Sequence, residues 1–303
     1  QRFIVRREPV GAVGAVTPWN YPMSMITRKV APALAAGCTI VLKPAEATPL
    51  CAKAIFEVFH DARIPAGVVN LVTARDPAPI GEEFVTNPTV RKLTFTGSTA
   101  VGKLLAKGAA EQMKRVSLEL GGHAPFIAFE DADPKKAATG AMLVKFLNTG
   151  QACISPNRIF VHRSHLEAFL QEAQCRIDRM RAGNGMEDGV SIGPLVGPEA
   201  LAKVERQVAN AVERGASLVC GGRRLTDEGL DRGYFFAPTL LAGVTPSMQI
   251  YREETFGPVA PVIPFDSEEE VIAMANDTHY GLASYIYTRD MARALRVFES
   301  LRF

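Results

Sequence analysis

The clearest signal along the chain is a hydrophobic period that switches repeatedly between two and about four. Residues 10–16 alternate small and branched side chains and predict a short strand, broken by Thr17-Pro18-Trp19-Asn20. Residues 22–36 predict a small-residue helix, with Pro22 near its start and Gly37 after its end. Residues 38–42 form an apolar strand, with Lys43-Pro44 at its carboxyl end. Thr48-Pro49 opens the next helix as a cap followed by proline. Leu50, Ala54, Val58 and Ala62 recur along it at a spacing of four, with Ile55 and Phe59 widening the stripe. Pro65-Ala66-Gly67 stops it, and residues 68–72 are the next strand. Strand, helix and strand in this order suggest a parallel α/β unit.

The pattern then repeats. Residues 92–95 predict a strand, Thr96-Gly97-Ser98 a tight turn, Ser98 to Ala110 a helix and residues 116–120 a strand closed by Gly121-Gly122. Further on, the spacing predicts helices over 134–147, 164–180, 198–214 and 290–300, and strands over 158–162 and 283–288. In the 198–214 helix, Leu201, Val204, Val208 and Val212 make the stripe that should be buried. Ser267-Glu268-Glu269-Glu270 forms a capping box for a helix ending near Asn276. No repeat or low-complexity tract interrupts the series. The expected fold class is α/β in two lobes, with a boundary near Gly121-Gly122.

Composition narrows the function. Of 303 residues, 34 are Lys or Arg and 32 are Asp or Glu, so the charge of +2 offers nothing to draw nucleic acid or an anionic membrane. The 47% hydrophobic content is that of a globular chain rather than a disordered one. No apolar run reaches the length of a membrane span. The five cysteines are odd in number and form no CxxC pair, which argues against a disulfide framework or a zinc knuckle and for a reducing compartment, here expected to be cytoplasmic. The basic N-terminus lacks a signal-peptide core, and both ends read as cut.

Four stretches carry candidate chemistry, each with a plainer alternative. Pro18 and Pro22 flank Asn20, whose amide would be fixed to donate to a developing oxyanion; the alternative is a rigid turn with an aromatic plug. Lys43 and Glu46 follow a strand, where they could hold ribose hydroxyls or simply face solvent. Gly97 and Gly102 stand five apart between a strand and a helix, a weak phosphate signal that is neither GxGxxG nor a P-loop. Cys153 follows a helix and a Gly-containing turn, where it is either an activated nucleophile or a buried inert thiol. Glu119 is available as a base, and no motif suggests a metal. Arg28-Lys29 lies in a mostly apolar helix, so these cations must snorkel or meet an anion.

In the order TPWN (17–20), KPAE (43–46), FTGS (95–98), LELGG (118–122), GQAC (150–153) and EETFGP (253–258), the chain resembles the aldehyde dehydrogenase superfamily along almost its whole length. Residues 20–46, 91–99, 115–133 and 275–287 look like its succinate-semialdehyde branch. The resemblance implies the aldehyde dehydrogenase fold, a Rossmann-like cofactor domain plus an α/β catalytic domain. It implies the end of an oligomerisation hairpin at 1–9, part of an NAD(P)-binding domain at 10–120 and a catalytic domain at 121–303 lacking its C-terminal part. It also implies a homodimer or homotetramer at full length.

The same resemblance implies residue roles. Cys153 would attack the aldehyde, Asn20 and the Cys153 N–H would hold the oxyanion, and Glu119 would activate the hydrolytic water. Thr17, Pro18, Trp19, Lys43, Glu46, Gly97, Ser98, Leu120, Glu254 and Phe256 would bind the cofactor, and Arg28 the substrate carboxylate. A carboxylate at Glu46 repels a 2′-phosphate, and some bacterial NADP-using members of the branch resemble this chain but carry Ser there, so NAD is expected, with NADP use open. Two positions depart from the branch. Leu147 replaces its second substrate arginine, and Ser155 replaces a cysteine common two residues after the nucleophile. Succinate semialdehyde is the expected substrate, with glutarate semialdehyde, another aldehyde, or a non-enzymatic role as alternatives.

Overall fold

Alternating strands and amphipathic helices build one main sheet in each of two units, Gln1–Gly121 and Gly122–Phe303, and the second unit adds a separate two-stranded pair. The computed structural model describes residues 2–303, save the side chain of Glu228.

Unit 1 runs β1 (Ala12–Val16), α1 (Pro22–Ala35), β2 (Ile40–Lys43), α2 (Pro49–Asp61), β3 (Val69–Leu71), α3 (Ala78–Thr86), β4 (Val90–Thr96), α4 (Thr99–Glu111) and β5 (Arg115–Glu119). Its five strands are all parallel, in the order β3-β2-β1-β4-β5. After β1 the chain winds one way to β2 and β3, then returns to lay β4 and β5 on the other side. At such a reversal the loops leaving two adjacent strands diverge, opening a crevice beyond their carboxyl ends. Val13, Ala15, Ile26, Val30, Leu42 and Ile55 fill one core cluster; Phe84, Leu93, Phe95 and Leu105 fill another.

Unit 2 runs β6 (Pro125–Ala128), α5 (Pro134–Lys145), β7 (Arg158–His162), α6 (Leu166–Ile177), β8 (Arg181–Ala182), β9 (Val190–Ile192), α7 (Pro198–Glu213), β10 (Ser217–Cys220), β11 (Thr239–Ala242), α8 (Gln249–Arg252), β12 (Val259–Phe265), α9 (Glu268–Asn276), β13 (Tyr285–Tyr287) and α10 (Met291–Ser300). The main sheet has the order β10-β11-β12-β7-β6-β13 and is parallel except for the β10–β11 pair. The β8–β9 pair stands apart from it.

Several sequence expectations need correction. The stripe at Leu50, Ala54, Val58 and Ala62 faces solvent, while Ala52 and Ile55 are buried with Phe56 and Phe59 beside them. A step of four overshoots the helical turn by about 40° each time, so such a stripe drifts off the core face. For the same reason Val212 is exposed and Ala211 takes its place behind Val208. Thr48 sits at the start of α2 without capping it, because at φ −134°, ψ 44° it lacks the extended geometry that aims a cap side chain. Ser267 does cap α9, but Glu270 accepts from the Asp266 N–H, one residue before the cap, instead of closing the box on Ser267. Periodicity did not predict α3, β6 or the strands β8 to β12.

Candidate functional site

In unit 1 the sequence-predicted groups gather beyond the carboxyl edge of the sheet. Thr17 to Asn20 leave β1, Lys43 ends β2, Gly97 and Ser98 leave β4, and Glu119 ends β5. The Thr17 N–H donates to Lys43 O at 3.2 Å, and the Gly97 N–H to Glu119 O at 3.0 Å, so neighbouring loops are held in step. Ser98 caps α4, its Oγ accepting from the Val101 N–H at 3.3 Å. The free N–H groups of that first turn, with the positive end of the helix dipole, suit an anion. Gly102 has a packing role instead: a Cβ there would stand 2.3 Å from Leu120 Cδ2. Lys43, buried, pairs with exposed Glu46.

Beside these groups lies a cleft of about 570 Å³, lined in part by Val16, Lys43, Val85, Phe95, Val101 and Leu105. One wall is α3, which sequence reading missed; the signal was Asp76, whose Oδ1 accepts from Ala78 N at 3.0 Å ahead of Ile80 and Phe84. The hydroxyls of Thr17, Thr96 and Thr99 are buried with no partner among the described residues. An apolar cleft, a helix N-terminus and unspent hydroxyls at a strand-order reversal fit a nicotinamide dinucleotide.

Lys29, rather than Arg28, is the buried cation of α1. Its Nζ donates to Thr94 Oγ1 at 3.0 Å. Burial lowers its pKa to about 8, against the pull of Glu119, which favours the charged form. Arg28 is exposed, its Nη1 3.7 Å from Met25 Sδ.

In unit 2, Cys153 sits on a strained turn. Asn148 (φ 50°), Thr149 (φ 60°) and Gly150 (φ 74°) are left-handed in succession. A β-branched residue rarely adopts that conformation, and it persists only where its surroundings enforce it. Thr149 Oγ1 accepts from the Gly193 N–H at 2.9 Å, and Gln151 Oε1 accepts from the Val196 N–H at 3.0 Å. A Cβ on Gly150 would stand 2.1 Å from Gly257 O. The turn thus leaves Cys153 half-buried between buried Ala152 and exposed Ile154. Tyr285 Oη donates to Ile154 O at 2.9 Å, and burial, then the charge of Cys153, raises the Tyr285 pKa.

Glu254 lies with this group. Its Oε1 accepts from the Gly122 N–H at 2.9 Å, and a Cβ on Gly122 would stand 2.1 Å from Cys153 O. Burial raises the Glu254 pKa, while Gly122, Lys203 and Lys145 pull it down. Phe256 is left-handed at φ 53°. Leu147 is 46% exposed, and Ser155 is fully buried with its Oγ donating to Lys145 O at 3.2 Å. Sequence reading singled out Lys29 together with Arg28 but missed Lys145. The signal was present, since Met25, Ile26, Lys29 and Val30, like Ala138, Ala141, Met142 and Lys145, place a lysine on a buried helical face.

The predicted residues therefore form two sets. Asn20, Lys43, Glu46, Gly97, Ser98, Glu119 and Leu120 belong to unit 1, and Cys153, Glu254 and Phe256 to unit 2. Among the described residues no cluster of three or more His, Cys, Asp or Glu could hold a metal, and no helix is long and apolar enough to cross a membrane.

Comparison with known proteins adds an independent line. Residues 1–303 match the aldehyde dehydrogenase family. The chain is 49% identical over all 303 residues to a succinate-semialdehyde dehydrogenase (NADP(+)) of Escherichia coli (strain K12), covering 62% of that protein. It is 48% identical over its whole length to a glutarate-semialdehyde dehydrogenase of Pseudomonas putida, again covering 62% of it. The crystal structure of a succinate-semialdehyde dehydrogenase from Burkholderia pseudomallei superposes with a TM-score of 0.95 at 49% identity, over 98% of this chain and 60% of that one. The chain thus spans about three fifths of the length of the relatives it matches.

Proposed function

The chain belongs to the aldehyde dehydrogenase family, and on that premise we propose that it oxidises succinate semialdehyde, or a close ω-oxo acid, to the carboxylic acid with a nicotinamide dinucleotide. The observation that carries the reading is the strained turn at 148–150, which leaves Cys153 half-buried with its carbonyl against Gly122, whose N–H donates to Glu254.

Cys153 adds to the aldehyde carbon. Asn20 and the Cys153 N–H donate to the oxygen that gains charge. The nicotinamide supplies the hydride acceptor. Cys153 then carries the acyl group as a thioester, and Glu119 takes a proton from the water that releases the acid. This division turns one hard oxidation into two easier steps. Lys43 and Glu46 hold the adenosine ribose, Gly97 and Ser98 the pyrophosphate, and Glu254 the second ribose with Phe256 beside it. Thr17, Pro18, Trp19 and Leu120 complete the cofactor contacts. Residues 10–120 act as the cofactor domain and 121–303 as the catalytic domain.

Glu46 supports NAD over NADP, because its carboxylate accepts from a 2′-hydroxyl and repels a 2′-phosphate. Arg28 supports an anionic tail on the substrate. Exposed, apolar Leu147 supplies no second carboxylate partner, which favours a second reading with glutarate semialdehyde, another ω-oxo acid or a less polar aldehyde as substrate. The full protein acts as a homodimer or homotetramer in the cytoplasm, a reducing compartment suited to the free thiols of Cys38, Cys51, Cys175 and Cys220. The test is a panel of semialdehydes and neutral aldehydes with both cofactors, read by the absorbance of the reduced nicotinamide. Turnover with ω-oxo acids, lost on the order of a thousandfold in Cys153→Ala while cofactor still binds, is the expected result. Near-normal turnover of that variant would remove the nucleophile.

A further inference from the structure

The last turn of α5 buries a cation beneath the nucleophile turn. Lys145 has no exposed surface, and Ala137, Ala138, Ala141 and Met142 share its buried face. A fully desolvated ammonium is costly unless something holds it. Its Nζ donates to Asn157 Oδ1 at 3.0 Å, and Asn157 is itself fully buried. The titratable groups facing it are Glu254, on the segment before β12, and His123, on the segment before β6. Lys203 on α7 acts on the same Glu254.

From Asn157 the connections run to both functional ends of unit 2. Asn157 Nδ2 donates to Gly122 O at 3.4 Å, and its N–H to Ala124 O at 3.2 Å. Gly122 in turn packs on Cys153 O and donates to Glu254. Lys145 is also tied at its main chain, where its carbonyl accepts from Ser155 Oγ at 3.2 Å. One lysine thus grips the segment 153–157 twice, through Ser155 and through Asn157.

We propose that Lys145 is a positioning residue: through Asn157 it holds the Cys153 turn against Gly122, and through Gly122 it sets the carboxylate of Glu254. The proposal rests on the reading of Cys153 as nucleophile and Glu254 as a ribose ligand. The ammonium form makes the stronger, charge-assisted bond to Asn157. Burial lowers the Lys145 pKa to about 7, against the pull of Glu254, so the grip loosens as pH rises through that value.

The test uses the full chain and two readouts. One is the rate at which iodoacetamide alkylates Cys153, followed by mass spectrometry of its peptide, which needs no turnover. The other is kcat and KM for cofactor. Lys145→Met keeps length and apolar contact but donates nothing. It should lower kcat by about ten- to a hundredfold and raise cofactor KM. The ratio of wild-type to variant alkylation rates should exceed one at about pH 6 and fall towards one by about pH 8. In Asn157→Asp the added carboxylate favours the ammonium, so the fall should move to higher pH. A ratio equal to one, or flat across that range, overturns the proposal. If Lys145→Met does not fold, Asn157→Asp decides alone: a pH profile of alkylation identical to wild type overturns the proposal, and an upward displacement supports it. Failure of the wild type to oxidise any aldehyde would sink the nucleophile reading instead, leaving the alkylation result to stand on its own.

Discussion

Unit 1 and unit 2 place their candidate groups at opposite ends of their strands. In unit 1 they follow the carboxyl ends of β1, β2, β4 and β5; in unit 2, Gly122, Cys153 and Glu254 precede the amino ends of β6, β7 and β12. The first placement is what parallel α/β geometry provides without special effort: loops diverge at the order reversal and a helix starts there. The second needs added structure, namely a left-handed turn, loop-to-side-chain clamps and a buried cation. Each unit nevertheless sets a buried lysine near a carboxylate, Lys29 with Glu119 and Lys43 with Glu46 in unit 1, and Lys145 with Glu254 in unit 2.

If that contrast is right, matched glycine substitutions should separate the units most. In Gly122→Ala the new methyl meets main chain, Cys153 O at 2.1 Å, which cannot swing away. A loss of about 2–4 kcal/mol in urea unfolding is expected, with a large fall in kcat. In Gly102→Ala the methyl meets only the tip of Leu120, and alanine regains about 1 kcal/mol of helix propensity. Stability should then change by about 1 kcal/mol or less. Equal costs for the two variants would erase the distinction.

The buried lysines give the next effect. Burial lowers Lys145 to about 7 and Lys29 to about 8. The unfolded lysine titrates near about 10.4, so between these values the unfolded chain binds more protons and stability rises with pH. Replacing Lys145 by Met should flatten this rise by an amount on the order of a few kcal/mol, and Lys29→Met by less. Unfolding free energies measured from neutral to alkaline pH check both, and a steeper rise in either variant reverses the assigned sign. The smallest expected effect lies in unit 1. Glu46→Ser leaves Lys43 without its carboxylate and should raise the NADP-to-NAD ratio of kcat/KM about tenfold. An unchanged ratio would free Glu46 from the choice of cofactor.

Unit 1 was more legible from sequence than unit 2 for physical reasons. Its strands are short apolar runs followed by turn residues, and Ser98 and Gly37 mark helix ends plainly. Its errors were the missed α3, the Thr48 cap and the assumed step of four in α2, which selected Leu50 and Val58 over Ala52 and Phe56. In unit 2, β12 contains Pro261 and Pro264, which argue against a central strand, yet it lies between β11 and β7. The two prolines have opposite parity along the strand, so each neighbouring ladder loses one donor instead of one ladder losing two. The Cys153 motif was visible as letters, but the left-handed run at Asn148 and Thr149 was not, because the groups that clamp Thr149 and Gln151, the N–H groups of Gly193 and Val196, lie more than forty residues away.

The central claim is that the held thiol of Cys153 takes the acyl group during oxidation. Rapid acid quench of the protein with an ω-oxo acid and oxidised cofactor, followed by mass spectrometry of the Cys153 peptide, tests it directly. A transient adduct of the acyl mass on Cys153 is expected, formed only when cofactor is present and accumulating in Glu119→Gln. Oxidised product with no adduct on that cysteine at any quench time, in either protein, would contradict it.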